Sequence, residues 1–145
     1  MARIKIDLPD NFSFSTDLSV RITDINYGGH LGNAAVLGLV HEARVQFLEH
    51  HGFSERDIGG ASLIMSDAAV VYRSEGFHGD VIRIDVAAAE FSRTGFDLFF
   101  RLTNQSTAQE LARAKTGMVA FDYSTRKVCS VPGEFKAALS PAPSE

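Results

Sequence analysis

The sequence holds one cysteine, no excess of basic residues and no apolar run near the ~20 residues that a helix needs to cross a bilayer. Each shortage excludes something. Cys129 cannot form a disulfide within the chain, and its setting between Val128 and Ser130 offers no partner base by spacing, so it reads as a bystander. The 14 Lys and Arg stand against 18 Asp and Glu, mixed along the chain, giving a net charge of −4 and no basic field for a phosphate backbone. Nucleic acid is therefore not an expected partner. No basic stretch followed by an apolar run opens the chain, so a cytoplasmic location without a membrane partner is expected. Several catalytic motifs are missing too. There is no Gly-x-Ser-x-Gly elbow, and Gly28-Gly29-x-x-Gly32 lacks the spacing and the βαβ setting of a dinucleotide loop. His41-Glu42 begins like a zinc-protease helix, but Val45 stands where the second His must be, and the adjacent His50 and His51 would point to different sides of a helix end. Neither a metal nor an organic cofactor is expected.

What is present is a hydrophobic content of 45% over 145 residues, enough for a single domain, 1–145, with a sizeable core. The most informative stretch is Asp24-Ile25-Asn26-Tyr27-Gly28-Gly29-His30-Leu31-Gly32-Asn33. Before it, Phe12, Phe14, Leu18, Val20 and Ile22 share one parity, as on a strand over about 12–22. After it, Val36, Val40, Ala43 and Phe47 recur at helical spacing, predicting a helix from about Asn33 to His51 that Gly52 ends. The stretch is thus a strand-to-helix corner, where free backbone N–H groups and the positive end of the helix dipole suit a polarised carbonyl or an anion. A Gly-rich turn with an Asn cap would read the same way.

Beyond Gly52 the period changes to two. Ser62 to Tyr72 is almost continuously apolar, Ile82 to Ala88 and Phe96 to Leu102 alternate, and Leu111 to Tyr123 makes a last strand. Turn signals at Glu75–Gly79, Ser92–Gly95 and Asn104–Gln109 predict consecutive strands as antiparallel neighbours. The plan is α+β, a curved five-stranded antiparallel sheet wrapped around one long helix, with a disordered tail from about 138 to 145. One helix cannot cover both faces of the 62–72 strand, on which Leu63, Met65, Ala69 and Val71 would lie opposite Ile64, Ala68 and Val70. A second subunit would cover the remainder and place a site at the seam.

This order of elements, with Gly29-His30-Leu31-Gly32-Asn33, Glu42-Ala43-Arg44, Gly79-Asp80, Phe121-Asp122-Tyr123 and Val131-Pro132-Gly133-Glu134-Phe135, resembles the hotdog-fold acyl thioesterases, in particular the 4-hydroxybenzoyl-CoA thioesterase-like branch. The resemblance covers nearly the whole chain. It implies a homodimer or homotetramer that hydrolyses acyl-CoA or acyl-carrier-protein thioesters at a subunit interface. One departure matters: the branch usually carries a carboxylate four residues before the His, and here that residue is Asn26. An amide can orient a water or a carbonyl, but it cannot take a proton from water at neutral pH.

The candidate catalytic residues are therefore Asn26, His30, Glu42 and Asp24, with Glu42 in the helix position the acyl-carrier branch uses for a carboxylate. Tyr27, Gly29, Gly32, Asn33 and Asp67 are candidate substrate-binding residues. The cations Arg93, Arg113, Lys115, Arg126 and Lys127 could contact the phosphates of a CoA carrier, but solvated surface charge is the preferred reading of each. Two alternatives remain. Asp24-x-Asn26 before His30 is similar to the Asp-x-Asn-Pro-x-His pattern of hotdog enoyl-CoA hydratases, with one extra residue before the His and no Pro. The other is a non-catalytic acyl-thioester binding protein, its carboxylate at position 26 gone.

Overall fold

The computed structural model describes residues 2–140. Its elements run β1 (Phe14–Ser19), a 3₁₀ turn (Ile22–Asp24), α1 (Asn33–His50), β2 (Ser62–Tyr72), β3 (Val81–Ala89), β4 (Gly95–Asn104), β5 (Gln109–Asp122), β6 (Lys127–Val128) and α2 (Gly133–Leu139). The strands form one antiparallel sheet in the order β1-β3-β4-β5-β2, with the short β6 also on β5. Alternation in β3 and β4 sends Ile82, Ile84, Val86, Leu98, Phe100 and Leu102 to one face, all fully buried, where they meet Val36, Val40, Ala43 and Phe47 of α1. The sheet wraps the helix, as expected.

Helix α1 stops because Gly52 enters the left-handed region at φ +83°. Its N–H donates to Glu49 O (2.9 Å) and the next N–H, of Phe53, donates to Leu48 O (2.9 Å), the paired closing bonds of a Schellman motif.

The structure departs from the sequence reading in four places. The first strand ends at Ser19, and Ile22 sits 65% exposed in the 3₁₀ turn, since Arg21 and Asp24 bond to each other and turn the chain. The strands β1, β2 and β3 are not sequential neighbours. The segment Arg73–Asp80 carries the chain from one side of the sheet to the other, past β5 and β4, because β1 already occupies the place beside β3. Three strand spacings amount to roughly 14 Å, within reach of that connection.

The third concerns the faces of β2. A bulge at Ser66, whose hydroxyl donates to Gly117 O at 3.2 Å, shifts the register between Met65 and Asp67. Leu63 and Met65 therefore share the helix-side face with Ala68, Val70 and Tyr72, and Ala69 and Val71 turn to the outer one. The fourth is the tail, which is helical through Leu139. Leu139 and Phe135 are buried, and Phe135 packs edge-on to Phe53 at 5.0 Å; the expected disorder at 141–145 lies outside the described residues.

Candidate active site

The corner is a closed set of short-range bonds. Asp24 is only 8% exposed, accepts from the Arg21 N–H (2.9 Å) and lies 3.3 Å from its guanidinium. Burial alone would raise its pKa, but the Arg21 backbone bond, side-chain bond and charge outweigh that and hold it below the usual carboxylate value. The Asp24 carbonyl accepts from the Gly32 N–H (3.0 Å), and Ile25 and Leu31 pair as an antiparallel bridge. Between them Asn26 turns its own side chain inward. Its Oδ1 accepts from the Gly28 N–H (2.9 Å) and from the His30 N–H (3.4 Å), while its backbone N–H donates to His30 O (2.9 Å). This is an Asx-type turn. Gly29 lies at φ +84°, and a β-carbon on Gly28 would stand 3.2 Å from Asn26 Oδ1 and 3.3 Å from His30 Nε2. The amide and the imidazole thus converge on one bare stretch of backbone.

The helix opens without a side-chain cap. Gly32 is the N-cap and Asn33 the first helical residue, so the sequence reading of Asn33 as a cap is corrected. The backbone N–H groups of the corner just before the helix are also spent, since Gly29, Leu31 and Gly32 donate to Asn26 O, Gly76 O and Asp24 O. Among the described residues, the N–H groups of Asn33, Ala34 and Ala35 have no acceptor, and they are the free donors of the first turn.

The Leu31 N–H bond to Gly76 O, at 2.7 Å, clamps the β2–β3 connection onto the corner. Gly76 has no room for a side chain, since a β-carbon there would lie 2.9 Å from Leu111 Cδ1. The clamp creates an open cleft of about 240 Å³ lined by His30, Asn33, Tyr72, Arg73, Glu75 and Leu111, among others. Tyr72 Oη donates to Asn33 O at 2.8 Å and so ties β2 to the first turn of α1, and burial raises the phenol's pKa and keeps it a donor. Glu75 Oε1 lies 3.8 Å from His30 Nε2, with the two side chains 64% and 35% exposed. Tyr72, Arg73 and Glu75 escaped the sequence reading, since nothing in the run Glu75–Gly79 beyond its turn composition pointed to the corner.

The other candidates lie apart from His30. Glu42 projects on the β1 flank of α1, in a separate cleft of about 510 Å³ with Leu18, Arg21, His41 and Val45, and accepts from Gln46 Nε2 at 3.0 Å. Asp67 is on the outer face of β2, paired with Lys115 Nζ at 2.7 Å, and that ammonium outweighs desolvation and holds its pKa low. Tyr27 stands fully exposed at the tip of the turn. Of the cations, Arg113 is bonded to Glu110 and to Ile6 O, Lys115 is shared by Asp67 and Asp97, and Arg93 donates to Ser130.

Residues 20–139 match the family model of the thioesterase-like superfamily, and the chain belongs to that family. Its fold is the hotdog fold of the solved thioesterases. A 1,4-dihydroxy-2-naphthoyl-CoA thioesterase from Synechocystis superposes with a TM-score of 0.80 at 23% identity, covering 87% of this chain and 94% of that one. A Staphylococcus aureus protein solved in complex with CoA superposes at 0.79 and 19% identity, covering 97% and 93%. A gentisyl-coenzyme A thioesterase does so at 0.78 and 17% identity, covering 88% and all of that chain. No curated protein sequence matches.

Proposed function

We propose that this protein hydrolyses acyl thioesters of CoA or of an acyl carrier protein, at the cleft between the helix-entry corner and the β2–β3 connection. One observation carries the reading: in a chain of the thioesterase-like superfamily, the His30 imidazole, held by the Asn26 turn, and Asn33 at the open first turn of α1 line one cleft. The N–H groups of Asn33 and Ala34 would hold the thioester oxygen as negative charge develops on it, and one such donor supplies ~10²- to 10³-fold in rate. His30 would face the departing sulfur or the attacking water. Asn26 holds the turn that places His30.

A second copy of the chain completes the site in this reading. The long strand β2 lies at the end of the sheet and pairs only with β5 among the described residues, while Met65 (49%) and Tyr72 (46%) are left exposed on its helix-side face. Joining two copies along β2 would cover that surface and bring two clefts to one seam.

Incubation with a panel of saturated and 2-enoyl CoA thioesters, read for free thiol, tests the function. Thiol release supports it. Loss of the enoyl absorbance without thiol would show a hydratase, and tight binding with neither change a carrier.

A further inference from the structure

We infer that Glu75 is the general base of this site and takes the role that Asn26 cannot fill. The inference rests on the thioester-hydrolase reading above. Four other carboxylates are already committed by geometry: Asp24 to Arg21, Asp67 to Lys115, Glu110 to Arg113, and Glu42 to Gln46 on the far flank of α1. Glu75 differs from all of them. It lines the same cleft as His30 and the first turn of α1, and its recorded partner is the His30 imidazole at 3.8 Å. That distance is too long for a direct hydrogen bond, but it lets both groups reach one water at ~2.8 Å each.

The placement is held firmly although Glu75 itself is exposed. Its neighbour Gly76 is buried, packed against Leu31 and Leu111, and anchored to the corner by the Leu31 N–H. On the other side, Ser74 N–H donates to Leu111 O (3.2 Å) and its hydroxyl to Glu110 O (2.9 Å). The backbone on both sides of Glu75 is thus fixed while its carboxylate stays free to move toward a substrate. The titratable and charged side chains lining the cleft with it are His30, Tyr72 and Arg73, and Arg73 leans toward Glu110 at 3.4 Å.

The step balances without any further reactant. The water oxygen bonds to the thioester carbonyl carbon as one of its protons passes to the Glu75 carboxylate. Collapse of the tetrahedral intermediate breaks the C–S bond, and the sulfur takes that proton back, directly or through His30. The products are the free acid and the thiol, with Glu75 ionised again.

The test is thiol release by wild type, Glu75→Gln and Glu75→Asp at neutral pH, with thermal unfolding of each. General-base assistance supplies ~10²- to 10⁴-fold, so Glu75→Gln should lower kcat by a hundredfold or more and leave KM and the unfolding midpoint nearly unchanged. Glu75→Asp should keep part of the activity. A wild type that hydrolyses thioesters alongside a Glu75→Gln variant within a few-fold of it overturns this inference and leaves the functional reading standing. A wild type that releases no thiol from any thioester in the panel overturns both.

Discussion

At the scale of single residues, Asn26 has a double character. Its position is the one where the resemblance expects a carboxylate, but its amide oxygen is occupied by the turn, accepting from Gly28 and His30. Asn26→Asp keeps an acceptor in the same place, made stronger by its charge, so that variant should fold at least as well and hydrolyse thioesters as fast or faster. Asn26→Ala leaves both N–H groups without their partner and should cost about 1 kcal/mol in denaturant unfolding as well as slow hydrolysis by displacing His30. A large loss of activity in a folded Asn26→Asp variant would sink the assignment of that slot. Asp24 gives a pH test. Its folded pKa lies below its unfolded one, so its contribution to stability is full above about pH 4 and is lost as pH falls through the folded value. Asp24→Asn should lower stability at pH 7 and flatten the loss below pH 4, measured by urea unfolding at both pH values.

At the scale of elements, the two ends of α1 are built differently. The N-terminus is left open to the cleft, whereas the C-terminus is closed by Gly52 at φ +83°. Gly52→Ala should therefore destabilise by about 1 kcal/mol without affecting catalysis, read as a lower unfolding midpoint with unchanged kcat. Beside that glycine, the buried His51 Nε2 has no hydrogen-bond partner among the described residues, and the ring lies edge-on to Phe47 at 4.9 Å and 5.1 Å from His50. Burial, then the His50 charge, lowers the His51 pKa. The neutral ring is thus the folded form, and the unfolded chain binds the extra proton between the folded value and about 6.5. Stability should be full above pH 6.5 and fall as pH drops below it, and His51→Leu should show a shallower fall between pH 7.5 and 5.5. An identical slope in the two proteins would mean that another group drives the effect.

At the scale of the whole molecule, the sheet ends on one side in β2, a long strand whose outer edge is unpaired among the described residues and whose helix-side face leaves Met65 and Tyr72 exposed. Light scattering at micromolar concentration should give at least twice the 15.8 kDa of one chain, and Met65→Lys should shift the protein toward that monomer mass. A wild type that runs as a clean monomer would remove the shared seam from the proposal. The expectation of a partner came from the sequence, since the run from Ser62 to Tyr72 is almost continuously apolar, but it is the proposal that light scattering tests. The side on which each residue would be exposed was not legible, because the bulge at Ser66 depends on pairing with Gly117 and leaves no mark in the local pattern.

The sequence by itself determined the parts. Alternation made β3 and β4, 3.6-residue spacing with a terminal glycine made α1, and the run from Asp24 to Asn33 marked the corner, since these signals depend on neighbours within a few residues. The assembly of the site was decided in three dimensions. Asp67 is held by Lys115 of a neighbouring strand, and Glu75 meets His30 only because β1 takes the place beside β3 and forces the β2–β3 connection across the corner. Strand order is a property of the closed sheet, so no local stretch of the chain could record it.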